Sequence, residues 1–289
     1  MNQKIKLSIF QPILIVLISI TFHSCTKVSS QVPKLTTADV TSIKLDSAIC
    51  GGKITLDGGS DIIVKGVCWS VKDNPTIADS KTENGSGKGS FQSIITGLLP
   101  NTVYYLRAYA RNYSKEGTGY GNTVTFKTDS LFLGSQYQGG TVAYILKPGD
   151  EGYDSTYLHG IIAAPTDQSK GIPWGIGFAL YTGASETNIG FGFANTNHIV
   201  KIQDQGIYAA KLCSDLVIGN YSDWYLPTID ELHELYKKRV MLGGFDNAFY
   251  WSSSDILASF AMCEDFGSGG IKQSQIKSLN LNVRAVRSF

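Results

Sequence analysis

The residue types that most often carry catalysis are present but scattered through this 289-residue chain. Its four histidines are His23, His159, His198 and His233. The pair His233-Glu234 does not extend into a zinc-binding HExxH motif, because Lys237 stands where the second histidine would be. A Gly-x-Ser-x-Gly nucleophile motif and a phosphate-binding loop are also missing from the sequence. We therefore predict no catalytic residue, no metal site and no cofactor, and we expect the protein not to be an enzyme.

One segment of the sequence, from Gly171 to Thr196, is a candidate for ligand binding because it is rich in glycine and aromatic residues. It has no clear periodicity, so we predict a long loop there. Aromatic rings exposed on such a loop can stack on the faces of sugar rings. The predicted ligand-binding residues are Trp174, Phe178 and Tyr181. The alternative is that the loop is solvated or faces the core, and then these side chains have no ligand.

The N-terminal residues predict export and a lipid anchor. A basic start is followed by an apolar run that ends just before Cys25, as in a secretory signal. This junction resembles the lipobox of bacterial lipoproteins, although Phe22 and His23 replace its usual leucine and small residue. We predict a signal peptide at residues 1–25, diacylation of Cys25 and a tether at residues 26–33. Cleavage by the ordinary signal peptidase and a retained membrane anchor are the alternatives.

Export with a lipid anchor predicts a location at the outer membrane of the cell envelope. The residues after Cys25 lack an acidic run, so the periplasmic and the surface-exposed side both stay open. The formal net charge of +1 argues against a nucleic-acid partner, which requires a basic face. The expected partners are therefore the membrane, through the lipid, and molecules outside the cytoplasm.

Four cysteines remain once Cys25 is assigned to the lipid: Cys50, Cys68, Cys213 and Cys263. Export permits disulfides, and the pairs within one domain would be Cys50 with Cys68 and Cys213 with Cys263. Buried free thiols are the other possibility for both pairs.

Residues 34–129 have the pattern of a β-sandwich, with seven short strands that alternate apolar and polar residues between turn signals. The segment Leu98 to Tyr104 places a turn just before a tyrosine that begins a long strand, as in a tyrosine corner. Tyr104 is therefore expected to be structural. Together with Gly66-Val67-Cys68-Trp69-Ser70, the segment resembles a fibronectin type III domain of the variety common in Bacteroidetes lipoproteins. The resemblance implies a spacer or protein-contact module.

Residues 130–289 are predicted to form an α+β domain. Thr228-Ile229-Asp230-Glu231 is a capping box, in which the Thr228 hydroxyl accepts a backbone amide and Glu231 returns to the cap amide. A helix should therefore begin after Thr228. The other predicted elements are strands at Gly139–Leu146, His159–Ala164, Tyr250–Ser254 and Asn282–Arg287 and a short helix at Ile207–Val217.

Three motifs in this second domain resemble the DUF1566 family, which includes the C-terminal region of the Legionella collagen-like adhesin. They are Asp223-Trp224-Tyr225-Leu226-Pro227-Thr228, Tyr250-Trp251-Ser252-Ser253 and Val283-Arg284-Ala285-Val286-Arg287. The resemblance implies a C-type-lectin-like fold and binding of glycans, glycosaminoglycans among them, or of extracellular or surface proteins. We assign structural roles to six residues and expect one of the two arginines to pair with a buried carboxylate; the six are Trp224, Thr228, Glu231, Trp251, Arg284 and Arg287.

The sequence as a whole predicts a fibronectin type III-like β-sandwich followed by a C-type-lectin-like α+β domain. The expected function is that of a non-enzymatic envelope lipoprotein, acting in adhesion or in glycan or protein binding through its C-terminal domain. The alternative is a structural or accessory subunit of a surface assembly, fimbrial or for polysaccharide uptake, without a small ligand. An enzyme of unknown type is a third hypothesis.

Overall fold

The computed structural model describes residues 31–113, 117–176, 180–203, 205–267 and 269–289. Within them the chain is mainly β-sheet with few helices, and it divides into two units. In the described residues, the first unit comprises residues 31–41, Ile49–Ile95 and Tyr104–Phe126, and the second comprises Ser42–Ala48, Thr96–Val103 and Lys127–Phe289. The domain boundary between residues 129 and 130 stays a prediction.

The first unit is a sandwich of two β-sheets. Its strands are β1 (Lys34–Thr37), β2 (Ser47–Leu56), β3 (Ile62–Ser70), β4 (Ser80–Lys81), β5 (Gly89–Thr96), β6 (Val103–Asn112), β7 (Gly119–Tyr120) and β8 (Val124–Lys127). One sheet has the order β1-β2-β5, and the other has the order β4-β3-β6-β7 with β8 also paired to β6. Leu35 and Ile54 from one sheet share a core cluster with Ile62, Ala108 and Ala110 from the other. Alternating side chains therefore bury the inner face of each sheet.

Tyr104 lies in this sandwich, as its predicted structural role requires. The side chain is buried, and its ring stacks on that of Phe126 with centroids 5.7 Å apart. Tyr109, five residues further along β6, is also buried, and its hydroxyl donates to Thr82 O at 2.7 Å. Both rings therefore serve packing within the unit.

The second unit combines two sheets with helices. Its elements are β9 (Gln136–Tyr137), β10 (Gly140–Ile145), β11 (Gly160–Ala163), β12 (Ser169–Ile172), α1 (Gly192–Gln203), α2 (Ala209–Ser214), α3 (Ile229–Lys237), α4 (Arg239–Leu242), β13 (Phe249–Leu257), β14 (Phe260–Asp265), β15 (Lys272–Ile276), β16 (Leu281–Val283) and β17 (Val286–Ser288). The sheets have the orders β17-β11-β10-β9 and β12-β16-β13-β14-β15. In the described part of the chain, no helix has the length and apolarity that crossing a membrane requires.

The long loop predicted from Gly171 to Thr196 is interrupted by regular structure at both ends. Strand β12 includes Ile172, and α1 begins at Gly192. Helix α1 buries Asn195, Thr196 and Gln203 beside Ile199, so its inner face is largely polar. A polar inner face gives no apolar 3.6-residue period, and for this reason the sequence pattern did not reveal the helix.

The single strand predicted at Asn282–Arg287 is two strands in different sheets. Asn282 on β16 pairs in parallel with Tyr250 on β13, whereas Arg287 on β17 pairs antiparallel with Ile162 on β11. Between them, Arg284 turns into the protein interior. Polar and apolar residues alternate from Asn282 to Ala285, and this alternation explains why the sequence pattern predicted a strand here.

Candidate functional site

Helix α3 begins with the capping box that the sequence predicts. Thr228 Oγ1 accepts a hydrogen bond from Glu231 N at 3.2 Å, and Glu231 Oε2 accepts one from Thr228 N at 2.8 Å. Both side chains are buried. The exchange satisfies two backbone amides at the helix start and fixes the residue at which α3 begins.

Glu231 also binds the loop that leads into α1. Its Oε1 accepts a hydrogen bond from Gly190 N at 2.9 Å. A side-chain carbon on Gly192 would lie 2.2 Å from Glu231 Oε2, so only glycine fits at this contact. One carboxylate therefore fixes the starts of α1 and α3 against each other.

Burial changes the protonation equilibrium of Glu231. Desolvation raises its pKa to about 7, although hydrogen bonds from the amides of Thr228, Gly190 and Gly192 oppose the rise. The folded state therefore holds this proton more tightly than the unfolded chain, in which the carboxyl has its ordinary pKa of 4.5. The resulting contribution to stability is complete below pH 4.5 and is lost as the pH rises through about 7.

We expect the free energy of unfolding of the wild type, relative to Glu231→Gln, to fall by roughly 3 kcal/mol as the pH rises from about 4.5 to about 7. Glutamine has nearly the same size and cannot ionise, so the comparison isolates this one titration. Urea denaturation at a series of pH values measures the difference. A difference that stays constant across this range would contradict the raised pKa.

The outward face of α3 carries four polar residues at positions 230, 233, 234 and 237. Offsets of three, four and seven residues put Asp230, His233, Glu234 and Lys237 on one side of the helix. All four line a cavity of about 450 Å³, which we call the α3 pocket. A volume of this order is typical of sites for small ligands.

Two loops complete the α3 pocket. Its other lining residues are Gly149, Asp150 and Glu151 after β10 and Asn188, Ile189 and Phe191 before α1. The loops meet at Gly190, which has a φ of +97°, and a side-chain carbon there would lie 2.5 Å from Glu151 O. Glycine is therefore needed on both grounds, and its small size lets the two walls approach each other.

His233 is held from behind by a buried carboxylate. Its Nδ1 lies 2.6 Å from Oε1 of Glu264 on β14, which is fully buried, while His233 remains partly exposed. Burial raises the pKa of Glu264, and the hydrogen bond with His233 opposes the rise. Glu264 Oε2 has no hydrogen-bond partner among the described residues. The contact orients the imidazole ring, as a carboxylate does when it hydrogen-bonds one ring nitrogen of a functional histidine.

Ion pairs position two of the pocket's carboxylates. Asp230 Oδ1 lies 2.5 Å from Lys272 Nζ, and Glu234 Oε1 lies 2.6 Å from Lys237 Nζ. Glu234 also pairs with Lys238. The pocket thus offers hydrogen-bond acceptors and donors at fixed positions, and the described residues that line it include no serine, threonine or cysteine. In the described ranges, no group of three His, Cys, Asp or Glu residues is placed to hold a metal ion.

The exposure predicted for Trp174 is wrong. The side chain is only 1% exposed, and its Nε1 donates to Ser252 O at 2.8 Å. Lys277 Nζ lies 4.3 Å from the centroid of its ring. Trp174 is therefore a core residue that cannot stack on a ligand in this conformation. Tyr181 is 51% exposed and remains accessible, while Phe178 lies outside the described residues.

A buried ion pair lies beside Trp174. Lys277 Nζ lies 2.7 Å from Asp255 Oδ1 and also donates to Leu180 O at 2.7 Å. Asp255 Oδ2 accepts hydrogen bonds from the amide and the hydroxyl of Thr182 at 2.7 and 2.8 Å. Desolvation lowers the pKa of Lys277, and the contact with Asp255 opposes that change. The pair thus fixes Leu180 and Thr182 against the sheet.

Four predicted structural residues are buried in the second unit. Trp224 and Trp251 are core residues, and Trp251 Nε1 donates to Ile172 O at 3.0 Å. Arg284 Nε lies 2.7 Å from Asp167 Oδ1, and both side chains are buried, which confirms the predicted arginine–carboxylate pair. Arg287 pairs with Asp223 at 2.8 Å, and its hydrogen bonds lower the pKa of that carboxyl.

The four described cysteines are buried free thiols, so neither of the two possible disulfides is present between them: Cys50, Cys68, Cys213 and Cys263. Burial raises the pKa of Cys50 and Cys263 to about 12 and that of Cys68 to about 11. The reactive thiolate form is therefore scarce at neutral pH. Cys25, the predicted lipidation site, lies outside the described residues.

The α3 pocket is the feature that the sequence analysis missed. The pattern assigned Asp230 and Glu231 to the helix start and left His233 as an isolated histidine. The sequence signal that could have revealed the pocket is the spacing of the polar residues along the outer face of α3. The remaining lining comes from two loops that lie some 40 to 90 residues earlier in the chain, and no local pattern connects those loops to the helix.

No protein-family profile and no curated protein matches this chain. Among solved structures, the sensor domain of the anti-sigma factor RsgI4 of Pseudobacteroides cellulosolvens is 21% identical, with 34% of this chain and 96% of that chain covered and a TM-score of 0.27. The sixth fibronectin type III domain of human fibronectin type III domain containing protein 3 is 23% identical, with 37% and 91% covered and a TM-score of 0.26. A redesigned β-sandwich protein is 27% identical, with 35% and 98% covered and a TM-score of 0.25.

These neighbours include fibronectin type III and β-sandwich domains, to which this chain is similar. At these TM-scores they carry no argument about activity or ligand. The class of the first unit, a fibronectin type III-like β-sandwich, follows from its own two sheets and their shared core.

Proposed function

We propose that this protein is a lipid-anchored protein of the cell envelope that binds a glycan or a surface protein through its second unit and catalyses no reaction. The observation that carries the proposal is the α3 pocket, where carboxylates, a lysine, an amide, an oriented histidine and an aromatic ring line one cavity of about 450 Å³. Sugar hydroxyls donate to carboxylates and accept from ammonium groups, while the C–H face of a sugar packs on an aromatic ring. The first unit would then be a spacer.

Sequence features support the envelope location and the adhesion setting. The lipobox-like residues before Cys25 favour an outer-membrane anchor, on the periplasmic or the exposed side. The DUF1566-like motifs around Trp224, Trp251 and Arg284 favour a C-type-lectin-like domain in adhesion. Among the described residues that line the pocket, none has the hydroxyl or thiol of a serine, threonine or cysteine, which favours binding over acyl transfer.

We expect a glycan or matrix-protein array to give a hit with the full chain that Phe191→Ala weakens about tenfold, because Phe191 is the aromatic residue that lines the pocket. Tyr181→Ala is the matched aromatic control and should leave binding unchanged. Thermal unfolding of each variant checks that it is folded.

Other results on the array would indicate a different binding site or a different function. Loss of the hit with Tyr181→Ala, and not with Phe191→Ala, would place the ligand on the segment around Tyr181. Chemical conversion of a bound glycan would replace the binding function by an enzymatic one. The absence of any hit would favour a subunit of a surface assembly.

An exposed apolar patch supports that second candidate function. Leu257 on β13 lies opposite Phe260 on β14, which lies opposite Ile276 on β15. These three side chains are exposed, and residues opposite each other on neighbouring strands share one face. Adjacent exposed apolar groups are typical of protein contacts. Cross-linking in cells, compared between the wild type and Phe260→Ser, tests for a partner at this patch.

A further inference from the structure

The α3 pocket contains two carboxylates without a cationic partner. Asp230 and Glu234 are neutralised by lysines, as described above. Asp150 and Glu151 have no lysine, arginine or histidine within ion-pair distance in the described part of the chain. The ammonium groups of Lys147 and Lys238 lie over the ring of Tyr144, each 5.2 Å from its centroid, and the pocket's own Lys237 pairs with Glu234.

Asp150 is oriented by two hydrogen bonds that leave one of its oxygens uncommitted. Its Oδ2 accepts from the Tyr144 hydroxyl at 2.9 Å and from Lys147 N at 2.8 Å. Burial, together with the hydrogen bond to Asp150, raises the pKa of Tyr144, so this hydroxyl stays protonated and remains a donor. Asp150 Oδ1 has no such partner among the described residues. The two hydrogen bonds therefore fix the Asp150 carboxylate in place before any ligand binds.

Glu151 is exposed, and its backbone packs so close to Gly190 that a side-chain carbon at position 190 would clash with it. The same contact brings Glu151 close to the segment that supplies Asn188 and Phe191 to the pocket. Carboxylate oxygens, an amide oxygen and the face of an aromatic ring are the groups that bind ammonium ions in proteins. An ammonium group has three donors, which suits several acceptors around one cavity.

The alternative ligand chemistries fit this wall less well. An anionic glycan, such as a glycosaminoglycan, would bring sulfate or carboxylate groups against two carboxylates that nothing neutralises. A neutral sugar would remove water from Asp150 and Glu151 without supplying a compensating charge. A protonated amine both neutralises the pair and satisfies its free oxygens.

We propose that the α3 pocket binds a glycan that carries a free amino sugar, with the ammonium group held between Asp150, Glu151 and the ring of Phe191. The inference rests on the proposed glycan-binding function and narrows its ligand to an amine-bearing sugar. The family resemblance implies a glycosaminoglycan, which is anionic, whereas the ligand proposed here is cationic.

Isothermal titration of the full chain with a matched pair of probes tests the proposal. The probes are a short β-1,4-linked oligomer of glucosamine and its fully N-acetylated counterpart, at about pH 6, where sugar amines are protonated. We expect the amine form to bind at least about tenfold more tightly, and added salt to reduce the difference.

Two variants of equal charge change locate the contact. Glu151→Gln should weaken binding of the glucosamine oligomer about tenfold and leave the acetylated form unaffected. Glu186→Gln removes one exposed carboxylate that does not line the pocket and should change neither affinity. Equal affinity for the two probes, or equal binding by wild type and Glu151→Gln, would overturn the amine site.

Two further results separate this inference from the proposed function. No binding of either oligomer overturns the amino-sugar ligand, while a different hit on the glycan array would still support glycan binding. Tighter binding of a short lysine peptide than of the glucosamine oligomer would also overturn the amino-sugar ligand, because the amine would then come from a protein.

Discussion

Replacing Arg284 by alanine is expected to lower the free energy of unfolding of the second unit by about 4 kcal/mol. The guanidinium forms a buried ion pair with Asp167 at 2.7 Å and donates to the backbone oxygens of Ala164 and Gly244 at 3.1 and 2.5 Å. Alanine would leave the Asp167 charge buried without a counterion and two carbonyl groups without a donor. The loss is large because the desolvation cost remains when the compensating partner is gone.

Arg287→Ala is the matched control for this prediction. Its partner Asp223 is 49% exposed, so water screens the pair and replaces the lost hydrogen bonds. We expect a loss of about 1 kcal/mol from the broken ion pair. Scanning calorimetry of the full chain and its two variants measures both effects. Similar losses from the two substitutions would show that burial does not set the strength of these pairs.

Trp174→Ala is the second substitution with a large expected effect, about 4 kcal/mol of destabilisation. It removes a buried indole, leaves Ser252 O without its donor and takes away the ring beneath Lys277. Tyr181→Ala removes an exposed ring of similar size and should change stability by less than about 0.5 kcal/mol. Urea denaturation of the full chain compares the two.

The same pair of variants tests the sequence interpretation of this segment. If Trp174 were a ligand-stacking residue on a solvated loop, both substitutions would leave stability nearly unchanged. A large loss for Trp174→Ala alone places that residue in the core. Binding data from Trp174→Ala would then report on folding and not on direct contact with a ligand.

Local features of the fold could be predicted from the sequence because their causes lie within a few residues. The capping box needs only Thr228 and Glu231, three positions apart, and the structure contains both of its hydrogen bonds. Two apolar runs predict the strands β10 and β11, and both strands are present, paired antiparallel with each other. Alternation along β6 likewise predicts which face of that strand is buried.

Features that depend on distant partners could not be predicted. In α1, the polar residue Thr196 occupies a core position because its hydroxyl hydrogen-bonds to the backbone of Leu226. The apolar pattern of a helix is therefore missing from the sequence of α1. The burial of Trp174 depends on Lys277 and Asp255, which follow it by many residues. Charged residues rarely lie in a core, so a pattern of polar and apolar residues places them at the surface.

The pairing of β11 with β17 has a consequence for how this chain folds. Residues Ile161 to Ala163 find their partners only at Val286 to Ser288, so a long loop must close before the four-stranded sheet is complete. Until then β11, whose residues are all buried in the finished sheet, has an open apolar edge. An open edge of this kind pairs readily with other chains. The second unit is therefore most exposed to aggregation between the synthesis of β11 and the arrival of β17, and a chaperone that covers β11 would have its greatest effect in that interval.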